Sequence, residues 1–186
     1  MNPIIAGNYQ IDLFNYPFSR YSAVDSEEKY DLVHFEESEH EYPTIIGIKI
    51  TNHDGFAKSA LLGAQGGGTG VHKTSFIVEQ VRIVICCSDT VFCLSIPDLS
   101  MIWKTKADEA TCFEIFKYKT DYIVHGELEI SRLSADGYII WQRSDADIFT
   151  TLDSTDSDFI VANDHILATD WENRKYKFDF DGNEIK

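Results

Sequence analysis

The stretch Gly66-Gly67-Gly68-Thr69-Gly70-Val71-His72-Lys73-Thr74 comes closest to a piece of chemical machinery in this 186-residue chain. A phosphate-binding loop needs Gly, four residues, then Gly-Lys-Ser/Thr, opening a helix whose N-terminal amides meet the phosphate. Gly67, Lys73 and Thr74 hold their places, but His72 stands where the second glycine belongs. The following Ser75-Phe76-Ile77-Val78 predicts a strand rather than a helix. The loop is therefore read as a flexible connection between two sheets, at a binding surface. A small enzyme using residues 66–70 and His72 is kept as an alternative.

Other reactive side chains form no recognisable set. Cys86, Cys87, Cys93 and Cys112 lie in apolar stretches and read as buried, reduced thiols. With Asp89-Thr90 as a hairpin turn, Cys86 would face Cys93, but no nearby Cys or His pair completes a zinc site. The six histidines show neither His-x-His nor His-Glu-x-x-His spacing, and there is no Gly-x-Ser-x-Gly elbow. Glu127 and Glu129, alternating with Leu128 and Ile130, read as the solvent face of a strand. No catalytic, cofactor-binding or metal residue is assigned, and the reading leans away from an enzyme.

Charge is more informative. Asp plus Glu number 31 against 16 Lys plus Arg, a formal net charge of −15. Such a surface repels nucleic-acid backbones and anionic membranes and attracts a basic protein or a cation. The acid concentrates in residues 25–41 and 145–158, and the latter lacks the Asp-x-Asp-x-Asp-Gly order of a calcium loop. Glu36, Glu37, Glu39 and Glu41, with Asp145 and Asp147, are the candidate partner-binding residues. The N-terminus has no basic or sustained apolar segment of a secretory signal, and no run approaches a transmembrane length. A cytoplasmic location is expected.

The elements that carry these residues are strands. Asp54-Gly55, Asp98-Leu99, Asp136-Gly137 and Asp181-Gly182 recur between apolar runs. Asp-Gly between such runs is a strong hairpin signal, because glycine accepts positive φ. The second copy has Leu99 after Pro97-Asp98 and must turn differently. Trp103 and Trp141 each follow their turn's Asp by five residues. Apolar runs precede the turns at 45–50, 91–96, 128–133 and 176–180. Two further runs precede each of these: 75–79 with 81–87, 112–116 with 122–125, and 158–162 with 165–169. For the first copy, 8–14 and 30–35 would have to serve, leaving 15–29 as an insertion, with 26–36 alternatively a short helix capped at Asp25 or Ser26.

Leu133-Ser-Ala-Asp-Gly-Tyr-Ile-Ile-Trp141 and Leu94-Ser-Ile-Pro-Asp-Leu-Ser-Met-Ile-Trp103 resemble the blade endings of quinoprotein-type (PQQ-like) β-propeller repeats. In that family a strand runs into a Gly turn and then a strand closing on Trp, which packs between blades. The resemblance covers about residues 75–186 and implies a fold, not a chemistry. A vicinal cysteine pair lies against the cofactor in some quinoprotein dehydrogenases, but Cys86-Cys87 is set in a run too apolar for that role. The family's enzymes carry about twice as many blades, so no cofactor is expected here.

The expected architecture is all-β. About four propeller-like four-stranded antiparallel blades (about 1–63, 71–105, 110–143 and 156–186) form one domain, as a small closed propeller or an open curved stack. Open sheet edges would invite a homo-oligomer. The expected function is a non-enzymatic protein-interaction module, in its most specific form an acidic inhibitor or immunity-type protein that binds a basic partner. A purely structural or oligomerising β module is the further alternative.

Overall fold

The computed structural model describes residues 3–16, 30–35, 41–151 and 158–185, and they contain strands and turns with no helix. The first sheet comprises β1 (Ile4–Ala6), β2 (Tyr9–Asn15), β3 (Leu32–Phe35), β4 (Thr44–Asn52) and β5 (Ala57–Ala64), in the order β1-β2-β4-β5-β3. The second is β6 (Phe76–Val78), β7 (Arg82–Cys87), β8 (Thr90–Ser95) and β9 (Met101–Lys106), in chain order. The third is β10 (Cys112–Tyr118), β11 (Asp121–Gly126), β12 (Ile130–Leu133) and β13 (Ile139–Arg143), again in chain order. The fourth is β14 (Phe159–Val161), β15 (Ile166–Thr169) and β16 (Lys175–Phe178), to which Glu184 adds a single bridge at Phe178.

Alternation within the strands places apolar residues on both faces of the inner sheets, so each sheet packs against its neighbours. Three cores result, in series. Ile11, Ile48 and Leu62 of the first sheet meet Ile83, Phe92 and Leu94 of the second. Val84, Cys86 and Val91 then meet Ile115, Tyr122 and Leu133, while Ile123 and Ile130 meet Phe159, Ile166 and Phe178. Among the described residues no core joins the fourth sheet to the first. The fold is a set of propeller-like antiparallel blades in an open stack.

The first blade departs from the reading of its sequence. Its inner hairpin is β1-β2, turning at Gly7 with φ +58°, so the strand at 32–35 is not the second strand of the blade. Leu32–Phe35 instead runs parallel to β5 on the outer edge, pairing Leu32 with Ala60 and Phe35 with Gly63. Its side chains explain the choice: His34 Nε2 bonds the Leu99 carbonyl at 2.9 Å, and Phe35 lies over Gly63. Of the alternative helix at 26–36, residues 26–29 and 36 lie outside the described residues, and 32–35 is strand.

The cysteine register also needs correction. The β7-β8 turn is Ser88-Asp89, with Ser88 at φ +53°, so Cys86 pairs with Val91 and Cys93 with Val84. This turn frees the Asp89 amide to reach the Gln65 carbonyl and the Asp89 carbonyl to accept from Ala107 N, both contacts to neighbouring linkers. None of the four cysteines is in a disulfide, and all four are buried. Burial pushes the Cys86 and Cys112 pKa values up, and that of Cys93 to about 11, so none of these three is a ready nucleophile.

The recurring turns share one hydrogen-bond pattern. In the first, third and fourth blades Asn52, Ser134 and Asp179 each donate their amide to the carbonyl four residues on and accept from the glycine amide three residues on. Their side-chain oxygens accept from the amides at the second and fourth following residues. Gly55, Gly137 and Gly182 take φ +87°, +82° and +80°. The second blade is one residue longer: Leu99 N bonds Ser95 O, and Leu99 itself takes φ +59°. It turns differently in length but keeps a left-handed residue at the glycine position.

Each of the last two turns receives the tryptophan of the preceding blade. Trp103 donates Nε1–H to Ala135 O at 3.1 Å, and Trp141 to Phe180 O at 2.9 Å. A Cβ on Gly137 would stand 2.5 Å from the Trp103 ring, and on Gly182 2.7 Å from Trp141, so only glycine lets the indole lie flat on the turn. Two residues on, Thr105 Oγ1 and Arg143 Nε donate to the Gly137 and Gly182 carbonyls. The tryptophans are aimed by bulges: Cys93 pairs with Trp103 but Leu94 with Met101, leaving Ile102 extra, and Ile140 is extra in the same way.

Guanidinium groups brace the same joints. Arg82 donates to Ala135 O and to Glu79, whose carboxylate also holds Lys117 at 2.6 Å and the Tyr122 hydroxyl at 2.9 Å. Burial raises the Glu79 pKa, but the bonds from Lys117, Arg82 and Tyr122 outweigh it and lower it to about 2. Because the folded value lies below the unfolded one, this stabilisation is complete above about pH 4.5 and is lost as pH falls toward 2. Glu79→Gln should therefore flatten the loss of stability across that window, measured by urea unfolding at stepped pH. An unchanged acid slope would show that the cluster contributes nothing to it.

A carboxylate-lined cleft at the loop end

Strand order sorts the connections to two ends of the blades. The Asp-Gly turns lie at one end. The linkers between sheets and the turns joining second to third strands lie at the other, knitted by main-chain bonds. Gly67 N donates to Ala110 O, Cys112 N to Ser88 O, Phe149 N to Glu127 O and Trp171 N to Ile148 O.

The glycine-rich linker is part of this knitting. Side chains at Gly66 and Gly67 would collide with Ala110 O and Thr111 Oγ1. Thr69 is buried, its amide bonded to Thr44 Oγ1 at 2.8 Å and its hydroxyl to Cys112 O at 2.9 Å. The loop is a packed seam rather than the flexible connection expected, and the strand β6 follows it where a phosphate site would need a helix. His72 bonds Phe113 O through Nε2 and Thr74 Oγ1 through Nδ1, and Thr74 donates to Glu114 at 2.6 Å. Glu114 in turn meets buried His125, whose Nε2 donates to Phe149 O at 2.7 Å. These imidazoles tie blades together.

The acidic concavity lies at the loop end of the third blade, between one of its own turns and the linkers that flank it. Glu109, Leu128, Glu129, Ser144, Asp145, Ala146, Asp147 and Ile148 line a cleft of about 410 Å³. Asp108 builds its wall: 1% exposed, it accepts Ala110 N and Thr111 N on Oδ1, and Leu128 N and Glu129 N on Oδ2, at 2.6–2.9 Å. Those bonds fold residues 127–129 into a turn, so the strand begins at Ile130, and Glu127 and Glu129 are not a strand face as expected. Leu128 is left 37% exposed at the cleft.

The electrostatics are unbalanced. Burial, then the neighbouring Asp108 and Glu109 charges, raise the Glu129 pKa. Burial likewise raises that of Asp108, against the pull of its four amides. Lys106 reaches Glu109 at 2.7 Å, and Arg174 reaches Asp147 at 3.8 Å while held by Asp170 at 2.6 Å. A carboxylate rim around Leu128, Ala146 and Ile148 has the form that fits a basic side chain: apolar contact for the stem, charge for the head. Among the described residues no group of His, Cys, Asp and Glu is placed to hold a metal ion.

Of the residues singled out by sequence, Asp145 and Asp147 line the cleft. Glu41 is exposed at the same end but precedes β4 of the first blade, away from the cleft. Glu36, Glu37 and Glu39 lie outside the described residues. Glu109 and Glu129 were missed because their runs are short. The signal that could have found them is Asp108, an acid beside an apolar Ala107 just before a strand, as a turn-organising residue would be.

No known protein family and no curated protein matches the chain. Among solved structures it is similar to BamB from Moraxella catarrhalis, at 14% identity and a TM-score of 0.52, over 82% of this chain and 47% of that one. The chain thus spans about half the length of BamB. At this identity the likeness speaks for the fold alone, and it places the blades described above among those of β-propellers.

Proposed function

We propose that this chain is a non-enzymatic protein-interaction module whose acidic loop end receives a basic segment of a protein partner, as an acidic inhibitor or immunity-type protein would. The observation that carries this reading is the cleft at the loop end of the third blade, where Glu109, Glu129, Asp145 and Asp147 surround an aliphatic floor. A net charge of −15 adds long-range attraction for such a partner.

The test is association kinetics with a basic partner recovered from the native host by cross-linking. Glu109→Gln, Asp145→Asn and Asp147→Asn are combined, leaving Glu129 because it accepts the Glu109 amide and Gln142. These surface changes should alter stability by no more than about 0.5 kcal/mol each. The on-rate at low salt should fall roughly tenfold, and its dependence on salt should flatten. An unchanged on-rate would remove the cleft from the interface and favour a purely structural or oligomerising module.

A further inference from the structure

The two tryptophan joints supply a template for a third docking event. In both, an indole lies on the turn glycine, its Nε1–H bonds the carbonyl preceding the turn Asp, and the side chain two residues on bonds the glycine carbonyl. The residues just before the turn complete the seat. Tyr122 paired with Leu133 receives Trp103, and Ile166 paired with Phe178 belongs to the core that receives Trp141.

Residues 52–56 of the first blade reproduce this seat. The hydrogen-bond pattern is the same and Gly55 has φ +87°, but none of the described residues lies within 4 Å of where its Cβ would be. The register places Gln10 opposite Thr51 where the other blades have Tyr122 with Leu133 and Ile166 with Phe178. A cavity of about 240 Å³ opens there, lined by Ile5, Gln10, Thr51, Asn52 and His53 among others, and Ile5 is 66% exposed. Where the internal joints hold an indole, the described residues leave an open space at the first blade.

We propose that this turn is a docking site for an extended, tryptophan-bearing segment of another polypeptide, with Thr or Arg two residues after the Trp. Recognition would follow the joints already in the fold: indole over Gly55, Nε1–H to the His53 carbonyl, the later side chain to the Gly55 carbonyl. A second copy of this chain does not fit as donor: its Trp103 and Trp141 are committed to their own turns, and Trp171, though 41% exposed, has Asn173 two residues on in place of Thr or Arg. The site is at the turn end, opposite the acidic cleft, so the proposal stands independently of the function proposed above.

The probe is the peptide Tyr-Ile-Ile-Trp-Gln-Arg-Ser, residues 138–144, titrated into ¹⁵N-labelled protein. An isolated strand loses much of its freedom on docking and meets the polar Gln10 and Thr51, so a Kd near 1 mM is expected. The amides of His53, Gly55 and Phe56 should shift saturably. The same peptide with Trp→Ala keeps the arginine and should bind at least tenfold more weakly, and Ile5→Asp in the protein should weaken the parent peptide. Absence of saturation at Gly55 up to about 5 mM peptide would overturn the proposal. So would equal binding of the Trp→Ala peptide, or shifts confined to Gly137 and Gly182.

Discussion

Trp141→Ala is expected to destabilise the protein by about 3 kcal/mol, and Trp103→Ala by a similar amount. Removing a large aromatic from a packed site costs roughly 3–5 kcal/mol. Both indoles are half-buried rather than fully enclosed, which argues for the lower end of that range. Each removal also takes one of two donors from a turn carbonyl, Phe180 O or Ala135 O, leaving Arg132 or Arg82 as the other. The contrast is Trp171, 41% exposed on the loop end, whose replacement by alanine should cost no more than about 0.5 kcal/mol. Urea unfolding of the three variants checks the ranking. Equal losses in all three would mean that the indoles contribute only through general bulk.

Asp108→Ala should cost more, about 3–5 kcal/mol, the range found when one partner of a buried charged network is deleted. Four main-chain amides, of Ala110, Thr111, Leu128 and Glu129, lose their acceptor in a place that water reaches poorly. Asp108→Asn is no rescue. Its Oδ1 can accept two of the four, but the new NH₂ would point at amide donors. A collapse of the 127–129 turn should follow, and with it the shape of the cleft. Amide exchange at Leu128 and Glu129 should accelerate together in either variant. Protection that survived there would show the turn to be held by something other than Asp108.

These residues also mark how far the sequence could be read. The Asp-Gly turns and the tryptophans after them were legible, because a left-handed turn residue and a buried indole each leave a local trace. Leu99 hid the second turn: its φ of +59° is imposed by burial against the first blade, and not by its own preference. The strand at 32–35 was found but misplaced, since parallel pairing with β5 depends on residues about 28 positions away in the chain. Gly66 and Gly67 suggested freedom of the chain, whereas their role is close approach to Ala110 and Thr111, which only the stacked blades create. Only charge density marks Asp145 and Asp147 in the sequence. The cleft also needs Glu109, Glu129 and Leu128, brought in from other connections by Asp108.

That blades are joined by an indole laid on the glycine turn of the next blade is the claim from which the fold and the docking site both follow. A double-mutant cycle on Trp141 and Gly182 tests it most directly. Gly182→Ala places a methyl 2.7 Å from the Trp141 ring, in addition to the strain of φ +80°. Trp141→Ala removes the ring and leaves only the strain. Unfolding free energies of the two single variants and the double should therefore miss additivity by more than about 1 kcal/mol, with the double more stable than the sum of its parts predicts. Additivity within about 0.5 kcal/mol would contradict the joint.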